Sequence, residues 1–423
     1  MRVIIKSSIL LMAIFFAVGC AGVKKVTQTT GEAPPPTPTA VIAPSSDKTI
    51  TLAFTGDIMM ADSAAYKLKT EGPDSFFTYT APLLKQADIA MGNLEGPLGL
   101  KGKKVKGKKY TFLVAPSCAL GLAHAGYKLL TLANNHTMDY GPMALQSTIA
   151  ALESQKLQHT GAGMNNAEAR QPAWFDLKGR KVAVLAYSNT IPAKYWATDK
   201  RPGCAPAYAD EMREDIKAAR DKGANLVIVC CHWGQEKKTT LRYYQPQLAH
   251  MAIEAGADAV VGHHPHIWQG LEVYQGKPIA YAIGNFCFGT LTPIKDSGIL
   301  YLSFDEKNRW GGGKIVPLNV NNYQVQFAAQ PMQPKAAKSF YNYLTKLSKN
   351  VDLSYADDSF TWKAPDVTVT PVSTPIASPT PTESIIKNGS SKKRMTSPTP
   401  FEGTPTPEPR DNPNGSLPGV KKP

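Results

Sequence analysis

Seven short apolar runs in this chain each stop at a cluster of glycine, asparagine, acidic or histidine residues, and this punctuation restricts the fold more than any other feature. Thr49 to Phe54 leads into Thr55-Gly56-Asp57, Ala87 to Met91 into Gly92-Asn93-Leu94-Glu95-Gly96, and Tyr127 to Ala133 into Asn134-Asn135-His136. Lys181 to Tyr187 leads into Ser188-Asn189, and Leu226 to Cys231 into His232-Trp233-Gly234. Ala257 to Val261 leads into Gly262-His263-His264-Pro265-His266, and Pro278 to Ile283 into Gly284-Asn285-Phe286. Near-continuous apolar runs of this length read as strands covered on both faces. Between them lie helix-like stretches, Pro142 to Gln155, Asp210 to Asp221 and Gln245 to Ala255, the last two followed by the C-cap glycines Gly223 and Gly256. Strand alternating with helix predicts an α/β fold with much parallel sheet. After Phe286 the pattern changes. Gly298 to Phe304, Gly313 to Val320 and Tyr323 to Ala329 are expected to be strands of a second, more antiparallel sheet, closed by a helix near Ala336 to Ser348.

Both ends of the chain stand apart from this pattern. Arg2 and Lys6 precede the apolar run Ile9 to Phe16, which is too short to span a bilayer as a stable helix, so residues 1–19 read as a signal peptide. Ala17-Val18-Gly19-Cys20-Ala21 resembles a lipobox, which makes Cys20 the expected lipid-bearing residue. Acyl chains contribute roughly 0.8 kcal/mol per buried methylene, so several on one cysteine hold a soluble domain at a membrane. Residues 20–47, with Pro34-Pro35-Pro36-Thr37-Pro38, then form a tether. The folded domain is expected over residues 48–350. Residues 351–423 are expected to be a disordered tail, dominated from about Pro365 by repeats such as Pro379-Thr380-Pro381-Thr382.

The polar clusters share a chemistry. In α/β sheets ligands bind beyond the carboxyl ends of the strands, so Asp57, Glu95, Asn135, His136, His232, His264 and His266 are expected to meet at one rim. Five of the eight histidines (His136, His232, His263, His264 and His266) fall at these strand ends, whereas His124, His159 and His250 lie elsewhere. Asp, Glu, Asn and His donors suit one or two zinc, manganese or iron ions. A carboxylate able to bridge two such ions, flanked by histidines, is the chemistry of a hydrolytic centre acting on a phosphorus or carbonyl group.

Together Thr55-Gly56-Asp57, Asn93-Leu94-Glu95, Asn134-Asn135-His136-Thr137-Met138-Asp139, His232-Trp233-Gly234 and Gly262-His263-His264-Pro265-His266 resemble the signature set of the CapA family. That family is named for poly-γ-glutamate capsule synthesis and is similar to calcineurin-like metallophosphoesterases. The match runs from about Thr49 to Gly289, and Gly284-Asn285-Phe286 fits it too. The resemblance implies a four-layer α/β/β/α sandwich of metallophosphoesterase type. It implies that Asp57 and His266 hold one metal, that Glu95 bridges, and that Asn135, His232 and His264 hold the second. His136, with Asp139 to fix its tautomer, takes the place of a general acid. His263 is left out of the ligand set, because strand alternation turns it away. The pattern also departs from the calcineurin-like enzymes, which begin Asp-x-His where this chain has Asp57-Ile58-Met59. A thioether is a poor ligand for a hard ion, and Glu95 stands where those enzymes have a bridging Asp.

The formal net charge of +14 bears on partners. Lys101, Lys103, Lys104, Lys106, Lys108 and Lys109 form the densest basic run, which reads as a solvated hairpin or loop tip, or as a contact for an anionic polymer or anionic lipid. Nucleic acid is not expected, since no recognition motif supports it. Besides Cys20, the cysteines Cys118, Cys204, Cys230, Cys231 and Cys287 show no disulfide or zinc spacing, although a single bridge is compatible with an oxidising compartment. Three functions fit: a metal-dependent hydrolase of an anionic envelope polymer or its precursor, a non-catalytic assembly factor that binds such a polymer within an envelope-synthesis complex, or a small-ligand-binding lipoprotein. Each would sit in the cell envelope, lipid-anchored outside the cytoplasmic membrane or in the outer membrane.

Overall fold

The computed structural model describes residues 48–190, 192–356 and 358–364. The expected signal peptide, Cys20, the tether and the Pro/Thr-rich segment lie outside the described residues. The first strands are β1 (Ile50–Met59), β2 (Ile89–Leu94), β3 (Tyr127–Thr131) and β4 (Gln158–Thr160). They are followed by β5 (Ala173–Leu177), β6 (Arg180–Ser188), β7 (Leu226–His232), β8 (Ala259–His263), β9 (Leu271–Tyr274) and β10 (Lys277–Ala280). The last are β11 (Asn285–Phe288), β12 (Asp296–Phe304), β13 (Trp310–Asn319), β14 (Asp352–Ala356) and β15 (Ser359–Lys363). The longer helices are α1 (Cys118–Ala125), α2 (Gly141–Ser154), α3 (Ala209–Asp221), α4 (Tyr244–Glu254) and α5 (Pro334–Leu347). No helix among the described residues is long and apolar enough to cross a membrane.

Two sheets organise these elements. One runs β14-β15-β13-β12-β1-β2-β3-β4, the other β9-β10-β8-β7-β6-β5. In the second sheet the side chains alternate between two cores. Val182, Val184, Ile228, Cys230 and Val261 face a core shared with the first sheet. Ala183, Leu185, Val227, Val229 and Val260 pack against Met212 and Ile216 of α3 and Ala249 and Ile253 of α4. The period-2 pleat makes this division possible, and covering both faces explains why the strands are apolar throughout. On the first sheet Phe77 packs edge-on to Tyr127, and the Tyr301 hydroxyl donates to the Leu83 carbonyl, so residues 73–84 and α1 cover that side. The result is helix, sheet, sheet, helix: the four-layer α/β/β/α architecture expected from the resemblance.

Three expectations need correction. The antiparallel strands do not form a sheet of their own, because β12 pairs with the amino half of β1, Ile50 to Phe54. This extends the first sheet and occupies an edge that would otherwise expose unpaired ladder groups. Tyr323 to Ala329 is not a strand. Asn321 caps a short helical turn at Asn322–Val325 by accepting from Tyr323 N, and Gln326 and Phe327 then take left-handed φ values of 49° and 66°. Finally, the domain does not end at residue 350. β15 pairs with β13 and buries Phe360 and Trp362, so residues 352–363 belong to the sheet rather than to the tail.

β1 changes partner halfway along its length. Its amino half runs antiparallel to β12, and from Asp57 it runs parallel to β11, with a register shift at Asp57/Ile58. The shift needs Gly56: a Cβ there would stand 1.9 Å from the Gly284 carbonyl oxygen, and Asp57 N donates to that oxygen at 2.9 Å. A side chain is excluded where two backbones approach this closely.

Candidate metal centre

The carboxyl ends of β1, β2 and β3 in one sheet meet those of β7 and β8 in the other, and the expected donors converge there. Asn93, at the end of β2, is the hub. Its Nδ2 donates to Asp57 Oδ1 at 2.8 Å and lies 3.4 Å from Glu95 Oε2 and 3.3 Å from His232 Nδ1. Asn134 holds this hub in place, donating to Asn93 Oδ1 at 3.1 Å and to the Leu94 carbonyl at 2.8 Å.

Two groups of donors share one carboxylate. Asp57, Glu95 and His266 form the first, and Glu95, His232 and His264 the second; in each the ligand atoms lie within 4.8 Å of one another. His232 Nε2 also lies 2.9 Å from Asn135 Oδ1, so Asn135 extends the second group. Ligands about 2.0–2.2 Å from a common ion sit about 3 to 3.5 Å apart; His266 Nδ1 and Asp57 Oδ2, 3.3 Å apart, meet that spacing, whereas Glu95 Oε1 stands wider, 3.9 Å from His232 Nε2 and from His266 Nε2. Glu95 Oε1 is buried with no hydrogen-bond partner. It lies 3.9 Å from each of three imidazole nitrogens, Nε2 of His136, His232 and His266. His264 Nδ1 is likewise buried and unpartnered. Buried polar atoms are nearly always satisfied, so two orphaned donor atoms in one cluster fit divalent ions held between them.

The electrostatics agree. Burial and the negative charge of Asp57 push the Glu95 carboxyl well above its usual range. Burial also opposes ionisation of Asp57, but the hydrogen bond and charge of His266 keep its pKa low. Burial works against a charged His266 too, yet Glu95 and Asp57 raise it to about 9. Burial pushes His264 down to about 4 and His232 well below its ordinary value. A buried excess of carboxylate is thus balanced, without metal, by a proton on His266. The backbone here is strained as well: His264 and His266 have φ values of 98° and 61°, in the left-handed region that non-glycine residues rarely occupy.

His136 lies beside this cluster, its Nε2 3.9 Å from Glu95 Oε1. Its Nδ1 is 2.7 Å from Asp139 Oδ2, and its ring packs on Phe112 with centroids 4.4 Å apart. His263 is turned away, as alternation predicts, with Nε2 3.2 Å from the Thr55 carbonyl. Met59 is fully buried and its sulfur accepts from Ala61 N at 3.3 Å, so it does not replace the missing histidine. Two residues of the site were not singled out in the sequence, and Lys108 was read only as part of the polymer-binding basic run. Asn93 and Asn134 lie inside the quoted motifs, and their position at strand ends was the available signal. Lys108 belongs to the basic run, yet its ammonium sits 2.6 Å from Asp139 Oδ1; nothing local distinguishes it from its neighbours. Among these lysines the other five are exposed. All five described cysteines are free and buried, so no bridge forms among them.

Comparison with known proteins identifies the family. Residues 51–290 match the model of the bacterial capsule synthesis protein family PGA_cap. The capsule biosynthesis protein CapA of Bacillus anthracis is 33% identical over 76% of this chain and 80% of its own. The PGA biosynthesis protein CapA of Bacillus subtilis is 31% identical over 76% and 82%. Among solved structures, the NAD nucleotidase NadN of Haemophilus influenzae overlaps 71% of this chain and 57% of its own at 11% identity and a TM-score of 0.42, too loose a likeness to carry an argument. Motifs, donor geometry and sequence identity over three quarters of its length agree that this chain belongs to the PGA_cap (CapA) family of bacterial capsule synthesis proteins.

Proposed function

We propose that this protein is an envelope-anchored, metal-dependent hydrolase that processes a poly-γ-glutamate-like polymer or its precursor during capsule synthesis. The observation that carries the reading is Glu95 Oε1, buried, unpartnered and 3.9 Å from three histidine nitrogens. Asp57, Glu95 and His266 would hold one ion; Glu95, His232, His264 and Asn135 would hold a second. When bound, such ions supply electrophilic activation and a nucleophile at neutral pH. The chain's own residues do the rest. His136 Nδ1 is engaged by Asp139, whose carboxylate would stabilise the imidazolium form; that form would give its Nε2 proton to the leaving group and return to the neutral ring. The exposed Lys101, Lys103, Lys104, Lys106 and Lys109 draw an anionic chain toward the mouth. Attachment through a lipid on Cys20 is supported by the sequence pattern alone.

In the test, the mature full-length protein is purified and its zinc, manganese and iron content measured. Turnover is then followed on phosphodiester, phosphomonoester and polyglutamate substrates. His136→Ala is expected to lower turnover by about 10²–10⁴-fold with metal content unchanged. Metal-replete wild type inert on every substrate would overturn the hydrolase reading. A second reading, a polymer-binding assembly factor, draws on Met59, whose engaged sulfur leaves the first ion one donor short of the Asp-x-His arrangement. It predicts salt-sensitive polyglutamate binding that survives Asp57→Ala.

A further inference from the structure

An open cleft of about 460 Å³ lies between the two sheets at their amino edge, away from the metal centre. Asp258, before β8, and Lys277, at the start of β10, form one wall. Lys307, Asn308, Arg309 and Trp310, from the turn between β12 and β13, form the other. The acidic groups here are already engaged. Asp258 Oδ1 accepts from Lys277, and its Oδ2 from Arg220 and from Val227 N at 2.9 Å. Asp305 accepts from Arg309 Nε at 2.8 Å and from the backbone N–H groups of Lys307 and Arg309. Glu306 pairs with Lys48 at 3.2 Å. Several donors, by contrast, are unused. Lys307 is exposed and has no ion-pair partner among the described residues. Asn308 Oδ1 accepts from Arg180 at 3.2 Å, which leaves its Nδ2 hydrogens free. Trp310 Nε1 is buried with no hydrogen-bond partner. A wall of unused donors beside satisfied acceptors suits a ligand that only accepts, and an ionised phosphate or carboxylate is such a ligand.

Position selects among these anions. The turn carrying Lys307 adjoins Lys48, where the described chain begins. The strand from Ile50 to Asp57 puts roughly 23 Å between this edge and the metal centre, at about 3.3 Å per residue. A group held at the metal centre is out of reach of the cleft, whereas a membrane lying along the amino edge brings headgroup phosphates to it. Lys222, on the loop before β7 at the same edge, is also exposed without an ion-pair partner, since Asp221 beside it pairs with Lys217. We propose that the cleft receives the phosphate of an anionic phospholipid headgroup, so that the domain rests on the membrane by its amino edge with the metal centre facing away. This surface is independent of the hydrolase reading and of any acyl chain on Cys20.

The test separates it from both. The mature full-length chain is prepared with Cys20→Ser, so that no acyl chain carries it to a bilayer. It is then sedimented with vesicles of phosphatidylcholine, alone or mixed with phosphatidylglycerol. This parent chain is expected to bind the mixed vesicles and not the neutral ones. Lys307→Ser is expected to weaken binding about fivefold, the effect of one basic residue at a bilayer surface. Asn308→Gly keeps the net charge and suits the left-handed φ of 62° at that position. It too is expected to weaken binding, which attraction by charge alone would not produce. Replacing Lys103, Lys104 and Lys106 by serine is expected to leave vesicle binding unchanged. Melting temperatures check that each variant is folded. Binding unaltered in either Lys307→Ser or Asn308→Gly overturns the proposal, as does binding lost with the loop lysines instead. A parent chain that ignores the mixed vesicles overturns it whatever the variants do; if calorimetry then shows that chain binding inorganic phosphate, the cleft is a site for the free ion.

Discussion

At the scale of single residues, the site is a set of buried charges held in unfavourable surroundings. His266, raised to about 9, carries a proton at neutral pH in the metal-free protein. A bound ion must displace it, because metal ligands bind deprotonated. Titrating metal-free protein with zinc or manganese near pH 7.5 should therefore release protons, read with a pH indicator. His266→Ala should release fewer. Stability without metal follows the same groups. His266 binds its proton more tightly folded than unfolded, so its contribution is complete below its ordinary value of 6.5 and is lost as pH rises through about 9. His264, pushed down to about 4, acts oppositely: stability falls as pH drops from 6.5 toward about 4. Glu95, held well above its ordinary value, opposes His264 by losing stability as pH rises above 4.5. The clear expectation is therefore a fall in the denaturant midpoint of chelator-treated protein from pH 7 to pH 9, and a flat profile there would contradict the assignment. The thiols make a separate prediction. Burial pushes Cys118, Cys204 and Cys230 up to about 12, and Cys231 and Cys287 well above their ordinary value. None of the five should react with a disulfide reagent until the protein is unfolded, because only the thiolate reacts.

At the scale of elements, two features are more demanding than their sequences suggest. The first is the junction of β1 with β11. Gly56→Ala would force a methyl group into the Gly284 carbonyl and move Asp57 away from Asn93 and His266. It is expected to lose metal as well as stability, measured by elemental analysis and thermal melting together. The second is the layer added by α5 and the β14–β15 hairpin. Phe340 on α5 packs edge-on to Phe360 at 5.3 Å and to Trp268 at 5.5 Å, and it is fully buried. Phe340→Ala should cost about 3–5 kcal/mol, and a chain stopped at residue 350 should melt well below the full chain. Helices α2, α3 and α4 were legible to within a residue or two because periodicity and C-cap glycines are local signals. The hairpin was not, because Asp352 to Lys363 is bounded by polar residues and adjoins a Pro/Thr-rich segment that dominates its composition. What makes it structural is the edge of β13 that it covers.

For the molecule as a whole, the site and the described chain ends lie at opposite edges. Lys48 enters β1 at its amino end, whereas Asp57 stands near its carboxyl end. β15 runs antiparallel to β13, β13 to β12 and β12 to β1, so the chain leaves β15 at the edge where β1 begins. The described chain therefore begins and ends at the edge opposite the candidate metal centre. If the basic loop recruits an anionic polymer to that centre, replacing Lys103, Lys104 and Lys106 by serine should weaken polyglutamate binding and flatten its dependence on salt, with the circular dichroism spectrum unchanged. Binding that is equally tight and equally salt-sensitive in the variant would remove the loop from the function.

The donor types, their order and their location at strand ends were determined by the sequence alone. Apolar runs dictate strands, helices alternating with them dictate parallel sheet, and the rim follows from both. Only the tertiary structure decided which donors pair. Asp57 and His264 are 207 residues apart and on different sheets, yet the His264 backbone lies 3.3 Å from Asp57 Oδ2. That distance is set by how the two sheets pack, which no local pattern encodes. The same holds for Lys108, one of six lysines in a run, whose burial against Asp139 depends on where the loop comes to rest.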